Sequence, residues 1–252
     1  MKPCNKMARG ALIVIEGCDR SGKTSQCHKL VSALQKQNID AKYMNFPDRT
    51  TAIGQIIHQY LVSKVNLPDE VIHLLFSANR WELSAAVRQE LQRGTTLVMD
   101  RYAYSGVAFS AAKGLDVEWC KSPDVGLPRP DKVFLLTLSP EALAKRKGFG
   151  EERYEVSEFQ QKVMSSFLKF QDSTWETVDA DRPLEDLHLH LLERTLSLHN
   201  TERSADILPL WKYRWSWYTV LNESRGITAL HSLAINVCMA CGTISNISDK
   251  FT

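Results

Sequence analysis

At 252 residues the chain is long enough for one α/β domain with a full core, alone or with an appendage. Its 44% hydrophobic and 24% charged residues are the balance of an ordinary soluble protein. A formal net charge of +2 is too small to suggest a long nucleic-acid footprint, and no apolar run approaches the roughly 20 residues that span a bilayer.

Taken in chain order, Ala11 to Ile15 is a continuous apolar, β-branched run, which predicts a strand covered on both faces. A helix comes next, with Cys27, Leu30, Val31 and Leu34 on one face and Gln26, Lys29 and Gln35 elsewhere. A second strand runs over 41–46 and ends at Pro47. Helices are predicted over 53–64 and 69–92, the second stopped by Gly94. Thr95 to Met99 and Val133 to Leu138 read as buried strands, and Thr177 to Asp179 as a short fifth one. Further helical segments fall at 140–147, 157–172 and 184–198. Strands separated by helices predict an α/β fold with a doubly wound, five-stranded parallel sheet. Its ligands belong at the carboxyl ends of the strands.

Gly17-Cys18-Asp19-Arg20-Ser21-Gly22-Lys23-Thr24 matches the P-loop pattern in full, and it lies between a buried strand and a helix, as a P-loop must. Glycines let backbone N–H groups converge on phosphate oxygens, and the helix N-terminus adds partial positive charge there. Lys23 is expected to reach the β and γ phosphates of ATP, and the Thr24 hydroxyl to hold Mg²⁺. Arg20 can stabilise charge during transfer, as a built-in counterpart of an arginine finger, or can form a salt bridge at the loop edge. Asp100 closes the third strand and is a candidate Mg²⁺ ligand, with Arg101 next to it able to bridge two phosphoryl groups; a solvated Asp–Arg pair is the plainer alternative.

A second set of residues suits an acceptor. Phe46-Pro47-Asp48-Arg49 places an arginine after the second strand. Phe76 and Arg80 share a helix face, so Phe76 can stack on a base while Arg80 donates to its edge. Phe76 also reads as plain core.

GCDRSGKT, FPDRT, LLFSANRWE, DRYAYSGVAFS, PDVGLPRPD and GEERYE, in this order and spacing, resemble the eukaryotic thymidylate kinases over about residues 8 to 212. The resemblance implies a homodimeric, Mg²⁺-dependent enzyme that makes dTDP from dTMP and ATP. It assigns the dTMP phosphate to Arg49 and Arg101, the thymine to Phe76 and Arg80, and the sugar 3′-hydroxyl to Asp19. Ser105 and Gln160 would line the pocket, with Phe109 and Tyr154 closing around the deoxyribose. Residues 136–160 correspond to the family's lid, in which Arg146 would stack on adenine, with backbone near Ala180 to Arg182 helping. The catalytic set is then Arg20, Lys23, Asp100 and Arg101, and a helper from the lid, such as Arg153, stays open. A deoxynucleoside kinase would want a carboxylate base where Arg49 stands, and a guanine-nucleotide switch lacks its signature here. A UMP/CMP kinase and an inactive binding module are the remaining rivals.

The N-terminus carries neither an apolar h-region nor an Arg/Ser-rich amphipathic pattern, so a cytoplasmic protein is expected, with nuclear or mitochondrial pools left open. Six scattered cysteines do not look like a disulfide framework, and Cys238-x-x-Cys241 lacks a second pair. The family-like part stops near Lys212. The remaining stretch, Tyr213 to Thr252, shows no strand–helix pattern and is expected to be poorly ordered. A read-through or alternative terminus, a membrane- or partner-binding tail and an added core element are its three readings.

Overall fold

The computed structural model describes residues 9–144, 152–199 and 206–211. Five strands alternate with helices: β1 (Leu12–Gly17), β2 (Ala41–Asn45), β3 (Thr96–Asp100), β4 (Lys132–Thr137) and β5 (Trp175–Asp179). The helices are α1 (Lys23–Lys36), α2 (Ala52–Leu61), α3 (Asp69–Gln92), α4 (Ala103–Ala112), α5 (Val117–Lys121), α6 (Pro140–Ala144), α7 (Ser157–Phe167) and α8 (Leu184–His199), with a 3-10 turn at Ser122–Asp124. The described residues fall in one compact unit, and the expectation for 213–252 lies outside them.

The sheet order is β2-β3-β1-β4-β5 and every pairing is parallel. A parallel sheet needs cover on both faces, and alternation along β1 supplies it. Leu12 and Val14 enter one buried cluster with residues of α3, α4 and α7, while Ile13 and Ile15 enter another with α1 and α8. The connection from β1 leads to the β2 edge, and that from β3 leads across to β4. The sheet therefore opens a crevice at the carboxyl ends of β1 and β3. Gly17 and Asp100 sit at those two ends.

Several elements differ from the sequence expectation: it contains neither α4 nor α5, and α7 ends at Phe167 where a helix to 172 is expected. α4 carries no amphipathic period because Ala103, Gly106 and Ser110 are buried as well as Tyr104, Val107 and Ala108 on another face. β5 starts two residues earlier, since Trp175 is buried against Tyr104 with ring centroids 4.7 Å apart. Of the lid span, 136–137 complete β4 and 157–160 open α7.

Candidate active site

Between the end of β1 and the start of α1 the chain doubles back over the sheet edge. Gly17 has φ 144, and a Cβ there would lie 2.4 Å from the Leu136 carbonyl oxygen, so no other residue fits. Lys23 is buried and donates to the Cys18 carbonyl at 2.5 Å, which folds its ammonium back across the loop. Burial, and then the nearby Arg101, pull its pKa below the usual lysine value. Thr24 Oγ1 donates to Asp100 Oδ2. A hydroxyl and a carboxylate side by side are hard oxygen donors, the kind that Mg²⁺ takes beside substrate phosphates and water. The donor set fits that ion.

Arg101 is built in from three sides. Its Nη1 donates to the Gly17 carbonyl at 3.1 Å and to Ser105 Oγ at 3.0 Å, while Nη2 is ion-paired with Asp19. Behind it lies Glu16, fully buried, which accepts from the Tyr102 and Ser105 amides at 2.9 and 3.1 Å and from Ser105 Oγ at 2.6 Å. Glu16 thereby satisfies backbone donors at the start of α4 that no helix turn can. Burial pushes its carboxyl pKa up, against the pull of the Arg101 charge. Burial also pushes Asp19 up, but Arg101 and Lys23 outweigh it and leave the carboxyl below its ordinary value. Gln160 joins α7 to the loop, accepting from the Asp19 amide at 3.0 Å and donating to its carboxylate at 2.7 Å. Arg20 and Arg101 both have left-handed backbone, φ 62 and 68, a conformation that costs about 1–3 kcal/mol and concentrates at functional sites.

One cavity of about 490 Å³ runs from Lys23 and Thr24 past Arg101 to Phe76 and Arg80. Phe109 and Tyr154 wall it with ring centroids 5.4 Å apart, and Arg101 lies 5.3 Å over the Phe109 ring. Arg80 is ion-paired with Asp124, Nε to Oδ1 at 3.0 Å and Nη2 to Oδ2 at 2.5 Å. At the mouth, Arg49 pairs with Glu152 and Arg20 with Glu155, both at 2.8 Å. The loop-edge salt bridge of Arg20 is thus present. Asp100 and Arg101, in contrast, each take a different partner, Thr24 for the one and Asp19 for the other. Phe76 is partly core, packed against the buried cluster of Ile57, Tyr60, Leu61, Ile72 and Tyr154, yet it also lines the cavity.

Gln160 is buried and does not line the cavity, reaching it through Asp19, and two other predicted site residues are not gathered here. Arg182 is on an exposed bend after β5 and is not among the residues lining the cavity; Arg146 lies outside the described residues. Arg153 is no candidate helper, because it donates to the Tyr60 and Val65 carbonyls at 2.9 and 3.0 Å and covers the Tyr60 ring. Reading the sequence missed Glu16, Asp124 and Asn79. Asn79 takes the Asp48 amide at 2.8 Å and returns a bond to the Asp48 carbonyl at 3.1 Å, fixing the turn that presents Arg49. Its place within the LLFSANRWE run, one residue before Arg80, was the available signal.

The family model for thymidylate kinase matches residues 15–191. The chain belongs to the thymidylate kinase family. It is 49% identical over 208 residues to the thymidylate kinase of Danio rerio, covering 81% of this chain and 98% of that one. The enzyme of Schizosaccharomyces pombe is 50% identical over 210 residues, with 81% and 100% covered. A solved thymidylate kinase structure from Candida albicans superposes with TM-score 0.74 at 39% identity, over 81% of this chain and 99% of that one. The same five-stranded parallel P-loop sheet underlies both.

Proposed function

We propose that this protein transfers the γ-phosphoryl group of ATP to dTMP, giving dTDP and ADP for dTTP synthesis, with the division of labour among its residues set by the shape of the cavity. The observation that carries this reading is the continuity of that cavity. The P-loop and a base pocket open into one space, with Arg101 between them.

The acceptor is already an anionic phosphate, so no strong base is required, and catalysis rests on in-line positioning and charge neutralisation. Lys23, with the loop backbone at Gly17, Ser21 and Gly22, holds the donor phosphates. Arg49 and Arg101 hold the acceptor phosphate, and Arg20 meets the charge that develops on transfer. Asp19 takes the sugar 3′-hydroxyl, Ser105 and Gln160 fix the walls, and Phe109 with Tyr154 leaves no room for a 2′-hydroxyl. Phe76 stacks on thymine while Arg80 donates to its O4. Thr24 and Asp100 would hold Mg²⁺, which would supply charge neutralisation for the phosphates. The lid arginine Arg146, with Arg182 and the backbone beside it on the adenine side, completes ATP binding. A homodimer is part of the same reading. Among the described residues no helix is long and apolar enough to cross a membrane.

A coupled assay across dTMP, dUMP, UMP, CMP and thymidine tests the acceptor. dTMP should be best, dUMP slower for want of a methyl contact worth about 1–3 kcal/mol, and ribonucleotides poor. Equal efficiency with UMP would sink the assignment. The boundary at Lys212 is tested by truncation there. Melting temperature and dTMP kinase rate should both stay near those of the full chain, and a large loss of either would show that 213–252 belong to the working domain.

A further inference from the structure

We propose that Asp124 is a positioning residue for acceptor choice, acting through Arg80 to fix which base edge the pocket accepts; this rests on the reading that Arg80 donates to the base. Asp124 is fully buried and does not line the cavity, whereas Arg80 does. A guanidinium carries five N–H donors in one plane and no acceptor. Asp124 engages Nε and Nη2 in the bidentate geometry that leaves an arginine least freedom, so the remaining donors keep one direction.

Both ends of this clamp are themselves held. Ser77 Oγ donates to Asp124 Oδ1 at 2.7 Å, and Trp81 Nε1 donates to the Pro123 carbonyl at 2.7 Å. Ser77, Arg80 and Trp81 stand three and four residues apart, so one face of α3 grips the 3-10 turn. On the other side lies Gly106 of α4, where a Cβ would come within 2.8 Å of Arg80 Nη2 and 3.2 Å of Nη1. The guanidinium is thus fixed from behind by charge and from the side by contact.

A fixed fork that only donates accepts a pyrimidine with a carbonyl oxygen at position 4. An amino group there, as in cytosine, would set donor against donor, and a buried donor left unpaired is what makes such rejection strong. Asp124 makes the rejection possible by denying Arg80 the freedom to turn away.

The test is a double-mutant cycle of Asp124→Asn and Arg80→Gln, with KM and kcat measured for dTMP and dCMP. Asp124→Asn should raise KM for dTMP about 10- to 100-fold, move kcat less than about threefold and narrow the dTMP/dCMP ratio. In the Arg80→Gln background it should change KM less than about twofold, because its route is gone. Ser77→Ala should give a smaller KM rise in the same direction with an unchanged melting temperature. Additive effects, or an unchanged KM in Asp124→Asn while Arg80→Gln raises it, would overturn the proposal. An unchanged KM in Arg80→Gln would instead remove the reading of Arg80 itself, and this proposal with it. Should Asp124→Asn not fold, the double variant, which buries no unpaired guanidinium, and Ser77→Ala decide: a Ser77→Ala enzyme with wild-type KM and discrimination overturns it.

Discussion

Arg20→Ala should lower kcat by about 10²–10⁴-fold while ATP still binds. The side chain leaves a P-loop residue held in left-handed backbone, beside Lys23 and at the mouth of the shared cavity. Its ion pair is with Glu155, itself buried, which tethers an otherwise exposed guanidinium beside the loop. A charge fixed in that place costs nothing to reorganise when the transferred phosphoryl group is midway, which is where such a group contributes most. Lys23→Ala should damage binding and kcat together, since Lys23 touches the loop carbonyl that shapes the cradle. Single-turnover kinetics with ATP affinity measured separately checks both. An Arg20→Ala enzyme with normal kcat would move the role into the lid, and with Arg153 tied to Tyr60 and Val65 that leaves Arg146.

How much of this was legible depends on whether a residue's role is local. The P-loop was, because strand, glycines, lysine and helix are contiguous and each has a physical reason to be there. β1, β3 and β4 were, because burial on both faces writes itself as unbroken apolar runs. α4 was not, since a helix covered all round shows no period. The carboxylates were the other gap. Glu16 reads as the tail of a strand and Asp124 as part of a Pro-rich turn, and neither acquires meaning until topology brings it against α4 or Arg80. Sequence reading finds the cations that meet a ligand more easily than the anions that aim them. Asp124 lies 44 residues from Arg80 along the chain and Glu16 lies 89 from Ser105, separations that no local pattern spans.

The Arg101→Ala variant separates those two layers. Arg101 touches Gly17, Ser105 and Asp19 and stands between the two phosphate sites, so its loss should lower kcat/KM for dTMP by about 10³-fold. Lysine should not rescue it, because one ammonium cannot serve the carbonyl, the carboxylate and two phosphates in the way a planar fork does. The substitution should also destabilise the fold, by about 3 kcal/mol, for a reason unrelated to catalysis. Arg101 is the main charge that offsets the burial of Glu16, and without it a carboxylate is left deep under α4. Adding Glu16→Gln should then restore most of the melting temperature. The amide keeps an oxygen for the Tyr102 and Ser105 backbone N–H groups and can donate to Ser105 Oγ. Activity should stay low in the double variant, since the phosphate contacts are still missing. Recovery of rate together with melting temperature would mean that Arg101 serves the fold and not the transfer, and the site would have to be redrawn around Arg20 and Arg49.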